Sequence, residues 1–275
     1  AEATLRLLRQ FDIDLLVVDS YQLGATWETT VRDGAQYKVA AIDGRKTSQH
    51  AADILLRPSP KVTHVSIELS DIRCERPSII FPQYALIDPR FFRRVFDGTN
   101  PRTLKNLLVN FGGGDDRGMI EKVVNSLTLL PNLAFATTVV VGRAHPNMDQ
   151  LSELEGLLPN LSFTANPEDL HRIMLRSHAC IGAGGVTMWE RIAMRLPSIV
   201  VTLAQNQVPG VEVAASAGAV EWLGSFRDAD ARTLARACSR LLTDEQYLES
   251  MQAGMIAVVP EKSKVTGKQL AVCLD

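Results

Sequence analysis

The sequence lacks the features of membrane, secreted and nucleic-acid-binding proteins. Among its 275 residues, no apolar run approaches the roughly 20 residues that span a bilayer. The N-terminal AEATLRLLRQ is an amphipathic helix fragment without the apolar region of a signal peptide. The net charge of −2 provides no basic field for nucleic acid or anionic lipid. We therefore predict a cytoplasmic protein that binds neither nucleic acid nor membrane.

Patterns for metal binding and common hydrolytic chemistry are also missing. The four cysteines (Cys74, Cys180, Cys238 and Cys273) are scattered and form no CxxC pair, which favours free thiols over a disulfide framework or a zinc site. No GxSxG, HExxH or Walker sequence occurs, so no motif indicates a serine hydrolase, a zinc protease or a P-loop nucleotide-binding protein. We expect no metal and no cofactor.

What the chain does have is a regular alternation of strand and helix patterns. Strands are predicted at 14–19, 37–43, 53–56, 78–81, 107–111 and 137–142, and near Ala179, Ser198 and Ala219. Helices are predicted at 26–34, 89–96, 119–130, 170–176 and 228–242, the last with Asp228 as its N-cap. Such alternation is typical of an α/β fold with parallel sheets covered on both faces.

The polar segment DGTNPRTLK at 97–105 predicts a domain boundary, because it contains Gly and Pro and precedes a new strand. We therefore predict a Rossmann-like N-terminal domain at 1–97 and a second at 98–275. The second has four to six predicted strands. The first has three or four, roughly two βα units fewer than a doubly wound domain, so we expect it to be N-terminally truncated.

A glycine turn in the second predicted domain has the composition of a phosphate site. Gly184 and Gly185 follow an apolar run, and apolar residues then recur at helical spacing from Val186. Unpaired amides and the positive end of the helix dipole meet at such a point, and the missing Cβ atoms let an anion approach. Thr187 adds a hydroxyl donor, and Glu190, one turn further on, is placed to accept from a ribose diol. The alternative is a tight structural turn followed by a solvated acid.

A second glycine loop follows the predicted strand at 107–111. Gly113 and Gly114 free backbone amides to form an anion nest, and Asp115 is placed to accept from a hydroxyl. Ligands bind at this edge of parallel sheets, outside the carboxyl ends of the strands. The alternative is a strand-to-helix turn in which Asp115 is the N-cap.

Two further polar loops follow strands at the same predicted edge. Asn206 and Gln207 carry amides that both donate and accept, as sugar hydroxyls require, although a plain polar loop explains them as well. Arg143 and His145 are within reach of a phosphate, but we favour a solvated loop for them.

In the first predicted domain, Asp43 ends a strand and His50 follows seven positions later. A histidine near a carboxylate can act as a general base, so both residues are candidate catalytic groups. The alternative is a capping or interface histidine.

Taken in order, six segments resemble one family of enzymes closely. They are VVDSYQLG at 17–24, AIDGRKTSQHAADILL at 41–56, YALIDPRF at 84–91, NFGGGDDRG at 110–118, GAGGVTMWERIAMRLPSIVV at 182–201 and LAQNQ at 203–207. The family is the UDP-2,4-diacetamido-2,4,6-trideoxy-β-L-altropyranose hydrolase of pseudaminic acid biosynthesis, with its spore-coat polysaccharide relatives.

The resemblance implies a GT-B fold and a UDP-sugar substrate. It implies that water attacks the anomeric carbon with inversion and expels UDP. By it, the diphosphate lies on Gly184, Gly185, Val186 and Thr187, the ribose on Glu190, the sugar phosphate near Gly113, Gly114 and Asp115, and the sugar on Asn206 and Gln207. Asn206 then joins Asp43 and His50 as a candidate catalytic residue.

The chain departs from the family pattern at three places. The catalytic histidine of the family lies in a GxGH-type loop after the first strand, which has no counterpart here, so we expect it upstream of Ala1. Asp43-Gly44-Arg45 replaces the usual Asp-Asp or Asp-Asp-Leu, and Leu86-Ile87-Asp88 replaces Leu-Leu-Arg. Two alternatives therefore stay open, a GT-B glycosyltransferase that uses a UDP-sugar donor and a non-catalytic UDP-binding fragment. The sequence does not predict an oligomeric state.

Overall fold

The computed structural model describes residues 1–11, 13–34, 37–43, 49–56, 78–80, 87–92, 105–131, 135–143, 145–146, 148–165 and 167–259. They fall into two compact units, one within residues 1–86 and one within 87–263. The predicted boundary segment, 97–105, lies outside the described residues except for Lys105. The domain limits 1–97 and 98–275 therefore stay a prediction.

The first unit contains a parallel sheet with the strand order β1-β2-β3-β4. Its elements are α1 (Glu2–Leu8), β1 (Leu15–Val18), α2 (Ala25–Asp33), β2 (Lys38–Ile42), β3 (Ile54–Leu56) and β4 (Ser78–Ile80). Side chains of β2 and β3 alternate between two apolar clusters: Val39 and Leu55 pack with Val31 of α2, whereas Ala40 and Ile54 pack on the other side. Strand β3 is apolar throughout because all three of its residues are buried.

The second unit contains a six-stranded parallel sheet with the order β10-β9-β8-β5-β6-β7. Its strands are β5 (Asn106–Asn110), β6 (Ala136–Val141), β7 (Leu161–Ala165), β8 (Ala179–Ala183), β9 (Ser198–Thr202) and β10 (Glu221–Ser225). Every residue of β8 and β9 is buried, which explains why β8 and the interior of β9 are apolar without alternation.

Helices follow most of these strands. They are α3 (Met119–Leu127), α4 (Met148–Glu153), α5 (Leu170–Arg176), α6 (Val186–Ala193), α7 (Val208–Ser216), α8 (Ala231–Thr243) and α9 (Glu245–Val258), with 3₁₀ turns at Pro89–Phe92, Leu154–Leu157 and Gln205–Gln207. The apolar spacing that predicts α3 is confirmed, since Ile120, Val123, Val124 and Leu127 are all buried. No helix in the described part of the chain is both long and apolar enough to span a bilayer.

The strand order of the second unit places two loops side by side. Numbered along the chain from β5, the order is 3-2-1-4-5-6, that of a dinucleotide-binding Rossmann sheet. The order reverses between β5 and β8, which are paired through Asn110 and Gly182. Ligands of such sheets bind beyond the carboxyl ends of the strands at this reversal. The two predicted glycine loops follow these two strands.

Some details of the sequence prediction are wrong or incomplete. Asp230, not Asp228, caps α8, because its carboxylate accepts from the Thr233 amide at 2.7 Å. Asp228 instead accepts from the Ser225 amide and hydroxyl and closes the turn after β10. Strand β7 and helices α4, α7 and α9 have no counterpart in the prediction. Of the four cysteines, Cys180 and Cys238 are described, and both are buried and free.

Candidate functional site

The turn between β8 and α6 presents an open helix N-terminus. Gly185 is the N-cap, and no side chain among the described residues caps the helix. Val186 is 55% exposed and Thr187 is half-buried, so the first amides of α6 lie at the surface. These amides and the helix dipole form an anion-binding arrangement at the reversal of strand order.

The glycines of this turn serve different purposes. A Cβ at Gly182 would collide with the Asn110 carbonyl of β5, and one at Gly184 would collide with Val211 of α7. These two glycines are therefore required for packing. At Gly185 the nearest atom to such a Cβ would be Nε2 of Gln207, at 3.8 Å. Only Gly185 leaves room on the solvent side, where a ligand can approach the backbone.

Gln207 is brought to the turn by the short 3₁₀ segment after β9. Its Oε1 accepts from the Leu203 amide at 2.8 Å, which leaves the amide nitrogen beside Gly185. Asn206, its neighbour, is exposed. The structure thus brings Gln207 and the glycine turn together, as the sequence predicts, whereas the role of Asn206 stays a prediction.

Glu190 lies on α6, close to the turn, and is half-buried. Burial raises the pKa of its carboxyl, the neighbouring Arg191 opposes this rise, and Asp88 adds to it. The structure gives the carboxylate no hydrogen bond or ion pair with any described residue. A partly desolvated acceptor without a partner is suited to a ligand hydroxyl, since a half-buried polar group gains most from a partner supplied by the ligand.

The loop after β5 is open and rests on the end of β6. Gly113 and Gly114 are exposed, and no described atom lies within 4 Å of a Cβ built on either. A Cβ on Gly142 would overlap the Gly113 carbonyl group, so the two loops are in direct backbone contact. Asp115 is exposed and pairs with Arg117 at 2.9 Å. The alternative in which Asp115 is the N-cap is wrong, since Gly118 holds that position in α3, and the predicted contact of Asp115 with a ligand hydroxyl stays a prediction.

The neighbouring Asp116 holds the helix end instead. Its carboxylate accepts from the Gly118 amide at 3.1 Å and from the Ile120 amide at 2.6 Å. It also lies 3.0 Å from Nε2 of His145, in the loop after β6. Both side chains are buried, so the expectation of a solvated loop is wrong for His145. This pair ties the loops after β5 and β6 together, and sequence reasoning missed it because the two residues are 29 positions apart.

We expect the change Asp116→Ala to lower the free energy of unfolding of the second unit by about 2 kcal/mol, because it removes two helix-capping bonds and the partner of a buried histidine. Urea unfolding followed by hydrogen exchange of α3 amides measures this loss. Asp115→Ala, one position away on an exposed side chain, is the matched control and should cost less than about 0.5 kcal/mol. Equal losses for the two variants would contradict the assignment.

In the first unit, Asp43 and His50 lie in a buried cluster with Glu28. Nδ1 of His50 lies 2.7 Å from Glu28 and Nε2 lies 3.1 Å from Asp43, while Glu28 also accepts from the Ala51 amide at 2.6 Å. Burial lowers the pKa of His50, but the bonds and charges of the two carboxylates outweigh it and hold the pKa above 6.5. Both ring nitrogens are engaged, so this geometry favours a structural role. The catalytic role of Asp43 and His50 stays a prediction.

Glu28 is the member of this cluster that sequence reasoning missed. It precedes Val31 by three positions on α2, and both side chains are buried. Its spacing from Val31 places Glu28 on the apolar face of the helix, and this could have indicated a buried carboxylate, which requires a partner.

Comparison with known proteins places the fold. No protein-family model matches the chain. Over 174 residues the chain is 25% identical to the spore coat polysaccharide biosynthesis protein SpsG of Bacillus subtilis. The matched segment covers 63% of this chain and 51% of that protein. The chain therefore spans about half the length of this curated relative.

Solved structures cover more of the chain. The S. aureus MnaA–UDP co-structure is 12% identical with a TM-score of 0.62, over 92% of this chain and 73% of that chain. The spinosyn rhamnosyltransferase SpnG complexed with thymidine diphosphate is 15% identical with a TM-score of 0.62, over 98% of this chain and 75% of that chain. The chain has the GT-B fold. This confirms the predicted fold class of parallel sheets in two Rossmann-like domains. The GT-B fold by itself does not define the reaction, since one fold supports many activities.

Proposed function

We propose that the protein binds a UDP-sugar at the second unit and hydrolyses it, releasing UDP. The observation that carries the proposal is the open N-terminus of α6 beside the half-buried, partnerless Glu190, at the reversal of strand order. The α6 amides at Val186 and Thr187 hold the diphosphate, and Glu190 accepts from the ribose hydroxyls. The exposed loop at Gly113 and Gly114 leaves room for the sugar.

In the proposed reaction, the bond between the anomeric carbon and the β-phosphate oxygen breaks. Its electron pair stays on UDP, while water supplies the new oxygen and gives up a proton to the solvent. The α6 amides stabilise the charge that develops on UDP, without a metal. The motif resemblance supports a diacetamido-trideoxy sugar as substrate. The two solved neighbours described above, one a co-structure with UDP and one complexed with thymidine diphosphate, support a nucleoside diphosphate as ligand.

We expect UDP to bind more tightly than UMP, since only UDP places a second phosphate on the α6 amides. Glu190→Ala should lower the affinity for UDP about 10- to 100-fold, because the ribose hydroxyls lose a charged acceptor. Titration calorimetry with UDP and UMP measures both effects. Glu121→Ala, which removes an exposed glutamate from α3, is the matched control and should change nothing. Equal affinities for UDP and UMP, or an unchanged Glu190→Ala variant, would contradict the assignment.

A GT-B glycosyltransferase is the second candidate, because SpnG, a neighbour over 98% of this chain, is named a rhamnosyltransferase. The two reactions use the same donor site and differ in the acceptor. Incubation of the protein with a UDP-linked diacetamido-trideoxy sugar in ¹⁸O-labelled water separates them. A hydrolase releases free sugar that carries the label, whereas a transferase releases no labelled sugar and requires an added acceptor.

A further inference from the structure

Arg191, next to Glu190 on α6, is among the largest fully buried side chains of the protein. Its Nη2 donates to the carbonyl of Ala183 at 2.8 Å. Its Nε and Nη1 are buried and have no hydrogen-bond partner among the described residues. The Cys180 thiol is another polar neighbour of the guanidinium. Two buried guanidinium nitrogens without a partner are unusual, because a charged group removed from water normally has its donors satisfied.

The guanidinium lies against the end of β8, the strand that leads into the glycine turn. A Cβ built on Gly182 would be 2.7 Å from Nη1 and 3.3 Å from Cζ of Arg191, so the side chain occupies the space that the missing Cβ leaves. Ala183, whose carbonyl Arg191 binds, is the last residue of β8 before Gly184 and Gly185. The cation is thus on the inner side of the turn, and the open amides of α6 are on its outer side.

No described carboxylate forms an ion pair with Arg191, although its charge acts on the Glu190 carboxyl and lowers that group's pKa against the rise caused by burial. A guanidinium stays protonated at any pH that proteins tolerate. The neighbouring Cys180 does not supply a thiolate, because burial raises the pKa of its thiol more than Arg191 lowers it. Glu190 is adjacent in sequence, but no ion pair joins the two side chains, and the Glu190 carboxylate is only half-buried. A permanent positive charge therefore lies behind the turn in a medium of low dielectric constant.

We propose that Arg191 is a positioning residue of the phosphate site, which holds the turn through the Ala183 carbonyl and supplies the positive potential that selects a diphosphate. This inference rests on the proposed function and adds the source of its charge selectivity. Arg191 does not touch the ligand. Its charge acts through the turn, where the protein interior screens it less than water does, and each phosphate charge on the outer side is attracted. The bound diphosphate adds negative charge near a guanidinium that has no ion-pair partner among the described residues.

The test is the ratio of UDP to UMP affinity, measured by titration calorimetry on the full chain. In Arg191→Met, which keeps the apolar length of the side chain and removes its charge, we expect UDP affinity to fall about 10- to 100-fold and UMP affinity to fall less. In Arg191→Lys, which keeps the charge, we expect the preference for UDP to be retained. If Arg191 had only a structural role, each substitution would lower the affinities for UDP and UMP by the same factor.

The outcomes separate the two proposals. If the wild-type protein shows no preference for UDP over UMP, the proposed function itself is wrong. If the wild type prefers UDP and Arg191→Met keeps the same ratio, only the role of Arg191 is wrong. If Arg191→Met does not fold, Arg191→Lys decides, since a folded lysine variant that has lost the UDP preference overturns the proposal. Hydrogen exchange of the β8 amides verifies folding in each case.

Discussion

The change Gly182→Ala is expected to destabilise the second unit by about 3 kcal/mol or more, because the added methyl group has nowhere to go. It would collide with the Asn110 backbone carbonyl of β5 on one side and with the Arg191 guanidinium on the other. The carbonyl belongs to a strand at the centre of the sheet, and the guanidinium is fully buried, so neither can withdraw cheaply. Relief requires β5 and β8 to separate at the point where their loops leave the sheet.

Urea unfolding with hydrogen exchange of β5 and β8 amides measures the effect. Gly156→Ala is the matched control, because no described atom lies within 4 Å of a Cβ built on Gly156. It should leave the unfolding free energy within about 0.5 kcal/mol of the wild type. A Gly182→Ala protein as stable as the control would show that β8 does not approach Asn110 this closely.

The change Glu28→Ala is expected to cost the first unit about 3 to 5 kcal/mol, the range for breaking a buried ion pair by removing one partner. It leaves Nδ1 of His50 and the Ala51 amide without their acceptor in a buried position. Asp33→Ala, on the same helix, removes a carboxylate whose side chain is 64% exposed and should cost little. Hydrogen exchange of α2 and β2 amides compares the two variants, and similar losses in both would contradict the buried cluster.

The pH dependence of this stability provides a second readout. Because the carboxylates hold the pKa of His50 above 6.5 in the folded protein, the imidazolium contributes stability that is fully present below about pH 6.5. That contribution is lost as the pH rises through the raised pKa of the folded state. In Glu28→Ala the pKa returns toward its ordinary value, so stability should change less with pH in this range. A pH profile as steep as that of the wild type would show that Glu28 does not hold the proton.

Most strands and helices could be predicted from the residues, but strand β7 and helices α4, α7 and α9 could not. Strand β8 and the interior of β9 are fully buried apolar runs, and α3 has its apolar residues on one face. Prediction failed where the local pattern was ambiguous. The aspartates at 228 and 230 both suit an N-cap, and only the contacts of Asp228 with Ser225 show which one begins α8.

The residues proposed for the site could be selected from the sequence, whereas the contacts that hold them in place could not, and their ligand-binding roles stay a prediction. Gly185 and Glu190 were recognisable because a glycine turn before a helix and an acid one turn later follow each other in the chain. The purpose of Gly182 was not recognisable, since its neighbour Asn110 belongs to another strand. Arg191 lies among apolar residues of α6, and its burial became evident only when α6 packed against the sheet.

By itself, the sequence determined the alternation of βα units and the positions of the glycine loops, because burial on both faces of a sheet and on one face of a helix leaves a period in the residue order. Only the tertiary structure decided which polar side chains meet. Glu28 and His50 are 22 positions apart, and Asp116 and His145 are 29 apart. Hydrogen bonds and desolvation depend on distance in space, which the chain sets only after its strands have paired.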